Sequence, residues 1–171
     1  MNILVVVDMQ NDFIDGSLGT EEAQRIVPEV VKKIQTFDGT VFATRDTHEE
    51  NCLETAEGKK LPVRHCIRGT EGWQIRQEIS DLLTEAPVDK VTFGSRELVK
   101  KLEQIQEETS IESITLIGLC TDICVISNAM LCKAFLPEVP VQVDASCCAG
   151  VTVESHMQAL EAMKMCQIDI L

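Results

Sequence analysis

Six short apolar runs, rich in β-branched residues, punctuate the chain at residues 3–7, 40–43, 88–91, 114–118, 139–143 and 168–171. They are mostly non-alternating, which is the pattern of strands buried on both faces. Between them, apolar positions recur at helical spacing over 27–37 with Pro28 in a first-turn position, 74–83, 97–107 after a Ser95 cap, 122–135, and 153–166 after Thr152. Strand and helix thus alternate almost throughout, with short connections. The expected fold is α/β: one domain over residues 1–171, three-layer α-β-α and Rossmann-like, with a mostly parallel six-stranded sheet. The exception is the polar stretch 45–71, which contains Gly58, Pro62 and Gly69. An irregular stretch of that length in a small domain usually serves function.

Composition narrows the function classes. With 171 residues, 44% of them hydrophobic, the chain can build its own core. Lys and Arg total 15 against 28 Asp and Glu, a formal charge of -13 that repels phosphate backbones and anionic lipid. Neither nucleic acid nor a membrane is an expected partner. The first apolar run is too short and lacks the basic flank of a signal peptide, and no stretch is long enough to span a bilayer, so the expected compartment is the cytoplasm. The eight cysteines form no CxxC pair and read as reduced, mostly buried thiols rather than disulfides or a zinc knuckle.

In an open α/β sheet the ligand crevice lies beyond the carboxyl ends of the strands. Asp8 follows the first run, Asp46 and His48 the second, Lys90 sits at the third, and Cys124 lies just past the fourth. Cys124 falls in the strand-to-helix turn of Gly118-Leu119-Cys120-Thr121-Asp122-Ile123-Cys124-Val125. There, unpaired amides and the helix dipole favour a thiolate and can hold an oxyanion. The bland alternative is a packed helix cysteine sharing a face with Asn128 and Cys132, and Cys120 does read as packed. Asp8, at the end of an apolar run, suits a base, whereas Asp12 and Asp15 read as residues that pin the following loop. Lys90 alone would be a solvated lysine; beside Asp8 it becomes an ammonium that draws the thiol toward thiolate. Asp46, His48 and His65 suit a divalent ion with open positions, with Glu57 or Glu54 as the fourth group. The plainer reading of Asp46-Thr47-His48 is a hydrogen-bonded turn. His156 reads as structural.

Together the segments Asp8-Met9-Gln10-Asn11-Asp12-Phe13 with Gly16-Ser17-Leu18, Arg45-Asp46-Thr47-His48, His65-Cys66 with Gly69-Thr70, Lys90 with Phe93, and Gly118 through Val125 resemble one family. It is the cysteine hydrolase branch of the isochorismatase-like superfamily, which includes nicotinamidases. The resemblance implies a catalytic triad of Asp8, Lys90 and Cys124, and a metal, be it zinc, iron, manganese or nickel, held by Asp46, His48 and His65, with Glu57 in place of a histidine that some relatives have and Glu54 as the fallback. It also implies a cis peptide between Leu119 and Cys120, an oxyanion hole from the backbone amides of Cys120 and Cys124, a small-molecule amide substrate and a homo-oligomer. Because Cys124 is present, an amidase of the nicotinamidase kind is favoured over cleavage of a vinyl ether.

Two aromatic positions of the nicotinamidase pattern are Pro62 and Glu97 here, which leaves Phe13 to stack on a substrate ring; Trp73 reads as core packing. Those departures keep another small amide or N-carbamoyl hydrolase close behind. Further alternatives are a non-catalytic redox or binding protein, with Cys124 as sensor thiol and Cys147-Cys148 as its partner, and a bare metal-binding module.

Overall fold

The run of five apolar residues that ends at Val7 becomes the central strand of a sheet, with Ile3 through Val7 fully buried. A computed structural model describes all residues 1–171. In chain order the elements are β1 (Asn2–Val7), α1 (Asn11–Ile14), α2 (Glu21–Thr36), β2 (Thr40–Asp46), α3 (Ala56–Lys60), α4 (Gln77–Ser80), β3 (Val88–Lys90) and α5 (Arg96–Glu108). There follow β4 (Ser113–Leu119), a π-helical turn (Thr121–Val125) running into α6 (Ile126–Phe135), β5 (Val141–Ala149), α7 (Val153–Met165) and β6 (Asp169–Ile170). The sheet order is β3-β2-β1-β4-β5-β6 and every pairing is parallel. This is the expected six-stranded three-layer class.

The period of two in β1 divides the core. Ile3, Val5 and Val7 face a cluster that includes Leu98 and Leu102 of α5, Ala129 and Cys132 of α6, and Leu160 and Met163 of α7. Leu4 and Val6 face the opposite cluster, with Ala23, Ile26, Val30 and Ile34 of α2 and Ile79 of α4. Each fully buried aliphatic side chain contributes roughly 1.5–3 kcal/mol, so the middle strand is firmly anchored between two helical layers. Gly118 permits the close approach of β4 to β1: its φ is 115°, and a Cβ there would stand 2.2 Å from the Val7 carbonyl oxygen.

Several boundaries differ from the sequence reading. Helix α2 begins at Glu21 rather than at residue 27, because the Thr20 hydroxyl accepts the Ala23 amide at 3.0 Å and caps it earlier. Pro28 therefore lies inside the helix, not in its first turn. The 74–83 segment contains only the four-residue α4, since its start is drawn into extended pairing: Gln10 and Ile75 form an antiparallel bridge, and the Arg76 amide donates to Met9. Strand β5 extends to Ala149, with a register shift against β4 between Leu116 and Gly118. The 45–71 stretch is not wholly irregular; it holds a 3-10 turn at Cys52–Glu54 and α3, whose Thr55 cap accepts the Gly58 amide. The Ser95 and Thr152 caps form as expected, on the amides of Leu98 and Ser155. No helix is long and apolar enough to cross a membrane, and all eight cysteines are free.

Candidate active site

Strand order reverses between β1 and β4, and the crevice at that switch point collects the strand ends. Asp8 leaves β1 with φ 47°, a left-handed conformation costly for a non-glycine residue and maintained by its surroundings. The Thr44 hydroxyl donates to Asp8 Oδ1 at 2.7 Å, and the Asp8 amide donates to the Thr44 carbonyl at 3.2 Å. Asp46 and Lys90 are the last residues of β2 and β3, and Cys124 sits in the π turn after β4. Lys90 Nζ lies 2.7 Å from Asp8 Oδ2, 3.1 Å from Asp46 Oδ1 and 3.4 Å from Cys124 Sγ. Four strand ends thus bring two carboxylates, an ammonium and a thiol into one buried cluster.

Burial works against the Lys90 charge, yet the carboxylates of Asp8 and Asp46 more than offset it and raise its pKa above the ordinary lysine value. Burial raises the Asp8 pKa, against the lowering influence of Lys90, and so increases its basicity. Burial and the Asp8 charge push the Cys124 thiol well above its usual range despite Lys90. The surroundings thus favour the thiol form of Cys124 beside Asp8, against the thiolate that the helix start alone suggested. In that turn the amides of Ile123 and Val125 both donate to the Cys120 carbonyl, at 3.1 and 3.0 Å, and the amides of Cys120 and Cys124 enter neither bond. The Leu119–Cys120 peptide is cis.

A second cluster adjoins the first. Donor atoms of Asp46, His48, Glu57 and His65 all lie within 4.8 Å of one another. His48 Nε2 is 2.9 Å from Asp46 Oδ2 and 3.9 Å from Glu57 Oε1; His65 Nε2 is 3.6 Å from Glu57 Oε1 and 3.9 Å from Asp46 Oδ2. Ligands about 2.0–2.2 Å from a common centre stand roughly 3–4 Å apart, so the spacing fits one divalent ion. His65 Nδ1 bonds the Val63 carbonyl at 2.8 Å, which leaves Nε2 to present its lone pair to the cluster. Of the two glutamates considered, α3 brings Glu57 to this cluster; Glu54, in the preceding 3-10 turn, is not part of it.

Both clusters open into a cavity of about 310 Å³, at the small end for ligand pockets. Cys124, Asp46, Glu57 and His65 line it together with Phe13, Leu61, Phe93 and Ile123. Phe13 packs against His65 with ring centroids 5.7 Å apart.

Residues 2–171 match the Isochorismatase domain family. The chain belongs to that family.

Among isochorismatase-family proteins, PncA of Bacillus subtilis (strain 168) is 28% identical over 92% of this chain and 91% of its own length. The nicotinamidase/pyrazinamidase of Mycobacterium tuberculosis is 23% identical over 99% of this chain and 98% of its own. The crystal structure of the pyrazinamidase of Pyrococcus horikoshii in complex with zinc has a TM-score of 0.82 at 28% identity, covering 99% of this chain and 98% of that one.

Against this isochorismatase-family frame, two residues gain importance. Phe93 is a second aromatic on the cavity, beyond the Phe13 that the sequence picked out; it is half-exposed on a turn after β3, and its place carries no periodic signal. Gln10 is fully buried and clamps the end of β2: its Nε2 donates to the carbonyls of Asp46 and Trp73 at 2.8 and 2.9 Å, and its Oε1 accepts the Asp46 amide at 2.7 Å. Trp73 is buried, with Nε1 donating to Thr47 and the Arg45 guanidinium 3.4 Å from its ring centroid. Asp12 accepts the Cys66 amide and Asp15 pairs with Arg76, both holding loops in place. His156 bonds the Thr121 hydroxyl at 2.7 Å, bracing the turn that carries Cys124 against α7.

Proposed function

We propose that the chain is an amidohydrolase that releases ammonia from a small carboxamide, nicotinamide or an amide of similar size, through a thioester on Cys124. The observation that carries this reading is the Lys90 ammonium held between the Asp8 carboxylate and the Cys124 thiol beneath an apolar cavity. Relatives named nicotinamidase or pyrazinamidase support a hydrolase acting on carbon–nitrogen bonds other than peptide bonds.

In the first half-reaction Asp8 takes the thiol proton as sulfur adds to the amide carbon. The carbonyl electron pair moves onto oxygen, which the amides of Cys120 and Cys124 stabilise. Collapse re-forms the carbonyl and breaks the C–N bond, and the proton on Asp8 passes to the departing nitrogen. Ammonia leaves and a thioester remains. Asp8 then takes a proton from water, hydroxide adds to the thioester, and the thiolate departs and recovers that proton. Lys90 stays charged throughout and compensates the negative charge that moves between Asp8, sulfur and the carbonyl oxygen.

Asp46, His48, Glu57 and His65 would hold a divalent ion beside the substrate; the zinc complex of the Pyrococcus horikoshii pyrazinamidase supports this, and the donor set also suits iron, manganese or nickel. Held there, the ion would supply Lewis acidity toward a substrate lone pair such as a ring nitrogen. Phe13 and Phe93 offer two aromatic surfaces to a ring.

The test is ammonia release by purified, metal-loaded protein from nicotinamide, pyrazinamide and a panel of small amides and N-carbamoyl compounds, with acid-quenched samples weighed for an acyl group on Cys124. The expected result is turnover of a ring amide with a Cys124 adduct. No ammonia from any of them would refute the reading.

A further inference from the structure

The reaction cavity has a neighbour that the proposed reaction on a single small ring leaves unused. An outer groove of about 610 Å³ shares Glu57, Leu61, Phe93 and Ile123 with the inner cavity, so the two spaces lie on either side of the same side chains. Leu61 and Phe93 are 38% and 45% exposed, which makes them a rim rather than a sealed wall. Beyond them the groove continues over Ala56 and Val91, the latter 71% exposed, a large apolar side chain left in water next to the site.

The polar groups of the groove are nearly all committed. His48 bonds Asp46, Glu57 faces His65 and His48, and the hydroxyls of Thr55 and Thr92 donate to the carbonyls of Cys52 and Gly94 at 2.7 Å each. Lys60, at the end of α3, is different: it lines the groove, and none of the ion pairs of the chain includes it. It is the only Lys or Arg lining the groove, and its ammonium gives an anion a local partner that the chain's overall charge of -13 does not.

We propose that the site is bipartite: the inner cavity takes the reacting carboxamide and its ring, and the outer groove takes an arm on that ring, apolar along its length and ending in a carboxylate that meets Lys60. This rests on the amidohydrolase reading above and narrows its substrate class to amides larger than nicotinamide itself.

The experiment compares nicotinamide, nicotinamide with an alkyl arm, and the same arm ended by a carboxylate. Kd is measured by calorimetry on metal-loaded Cys124→Ala protein, and kcat/KM on the wild type. The arm is expected to tighten binding about three- to fourfold for each methylene it buries. The terminal carboxylate should add about three- to fivefold, the scale of a partly exposed ion pair. Lys60→Ala should remove only that last increment, and Val91→Asp should weaken binding of both armed amides more than that of nicotinamide. An arm that fails to tighten binding, or a carboxylate that binds no better than its neutral counterpart, overturns the proposal. Failure of the wild type to hydrolyse any of the three counts instead against the catalytic reading, and the Kd series on Cys124→Ala still decides the groove.

Discussion

Lys90 and Asp46 meet at 3.1 Å, Nζ to Oδ1, and through this contact the Asp8-Lys90-Cys124 cluster, the proposed acyl-transfer centre, touches the Asp46-His48-Glu57-His65 cluster proposed to hold a metal. The other oxygen of Asp46 meets His48 at 2.9 Å, so one carboxylate serves both clusters. Asp46→Ala should therefore fail in two ways. Bound metal is expected to fall below one ion per chain, and kcat/KM to drop at least ~100-fold. Partial loss of the compensation around the buried ammonium should lower stability by about 3 kcal/mol. Wild-type protein stripped by a chelator keeps the Lys90 contact, so added divalent ion should restore its activity, whereas the variant should not recover. Metal analysis with ammonia release checks this; a variant with full metal and wild-type turnover contradicts it.

Cys124 contributes little to the fold and everything to the proposed chemistry. Cys124→Ala removes one buried sulfur, a loss of about 1 kcal/mol of unfolding free energy, read from the shift of the urea midpoint. Turnover should fall by roughly 10^4-fold or more, since no other group in the cavity can carry the acyl intermediate. Cys120 also lines the cavity, but the Lys90 ammonium contacts the sulfur of Cys124, 3.4 Å away, and not that of Cys120. Wild-type ammonia release from the alanine variant would exclude Cys124 as nucleophile.

The strands were legible in the sequence because a buried parallel strand writes itself as an unbroken apolar run, as residues 3–7 do. The strand ends followed, and with them the placement of Asp8, Asp46, Lys90 and Cys124 on one edge. What stayed hidden depends on contacts between distant segments. The polar turn Glu21-Glu22 masks the start of α2, although its buried stripe at Ala23, Ile26, Val30 and Ile34 has helical spacing. Pairing of Ile75 with Gln10 shortened α4, a tertiary contact that overrides local periodicity. Glu57 is already preferred over Glu54 on the family pattern, and α3 carries it to the cluster; Phe93 stands in that pattern beside Lys90, but its place on the cavity, reached from an aperiodic turn, is not written in any periodicity.

Gln10 tests how far the site relies on its support. Gln10→Leu keeps the volume but strands three buried backbone groups, the amide and carbonyl of Asp46 and the carbonyl of Trp73. Leaving them unpaired should cost about 2–5 kcal/mol, read as a lower urea midpoint. The end of β2 loses its lateral hold, so metal affinity and kcat/KM should each fall by about tenfold. An unchanged midpoint would show that water replaces the side chain without loss.

A last prediction concerns acid stability and lies away from the site. Lys33 of α2 pairs with Asp144 of β5 at 2.7 Å, and the Ser146 hydroxyl and amide both donate to the same carboxylate. Burial alone would raise the Asp144 pKa; the Lys33 and Ser146 bonds outweigh it and hold the carboxyl below its ordinary 3.8. A carboxylate depressed in the folded state contributes stability that is present above its unfolded pKa and is lost as pH falls through its folded value. Asp144→Asn should thus be less stable than wild type by about 1.5–3 kcal/mol at neutral pH, the range of hydrogen bonds to a charged group. The difference should hold down to about pH 5 and shrink as pH falls below 3.8. Urea midpoints of both proteins across that range measure it, and a gap that stays constant into acid would mean that protonation of Asp144 is not what weakens the fold there.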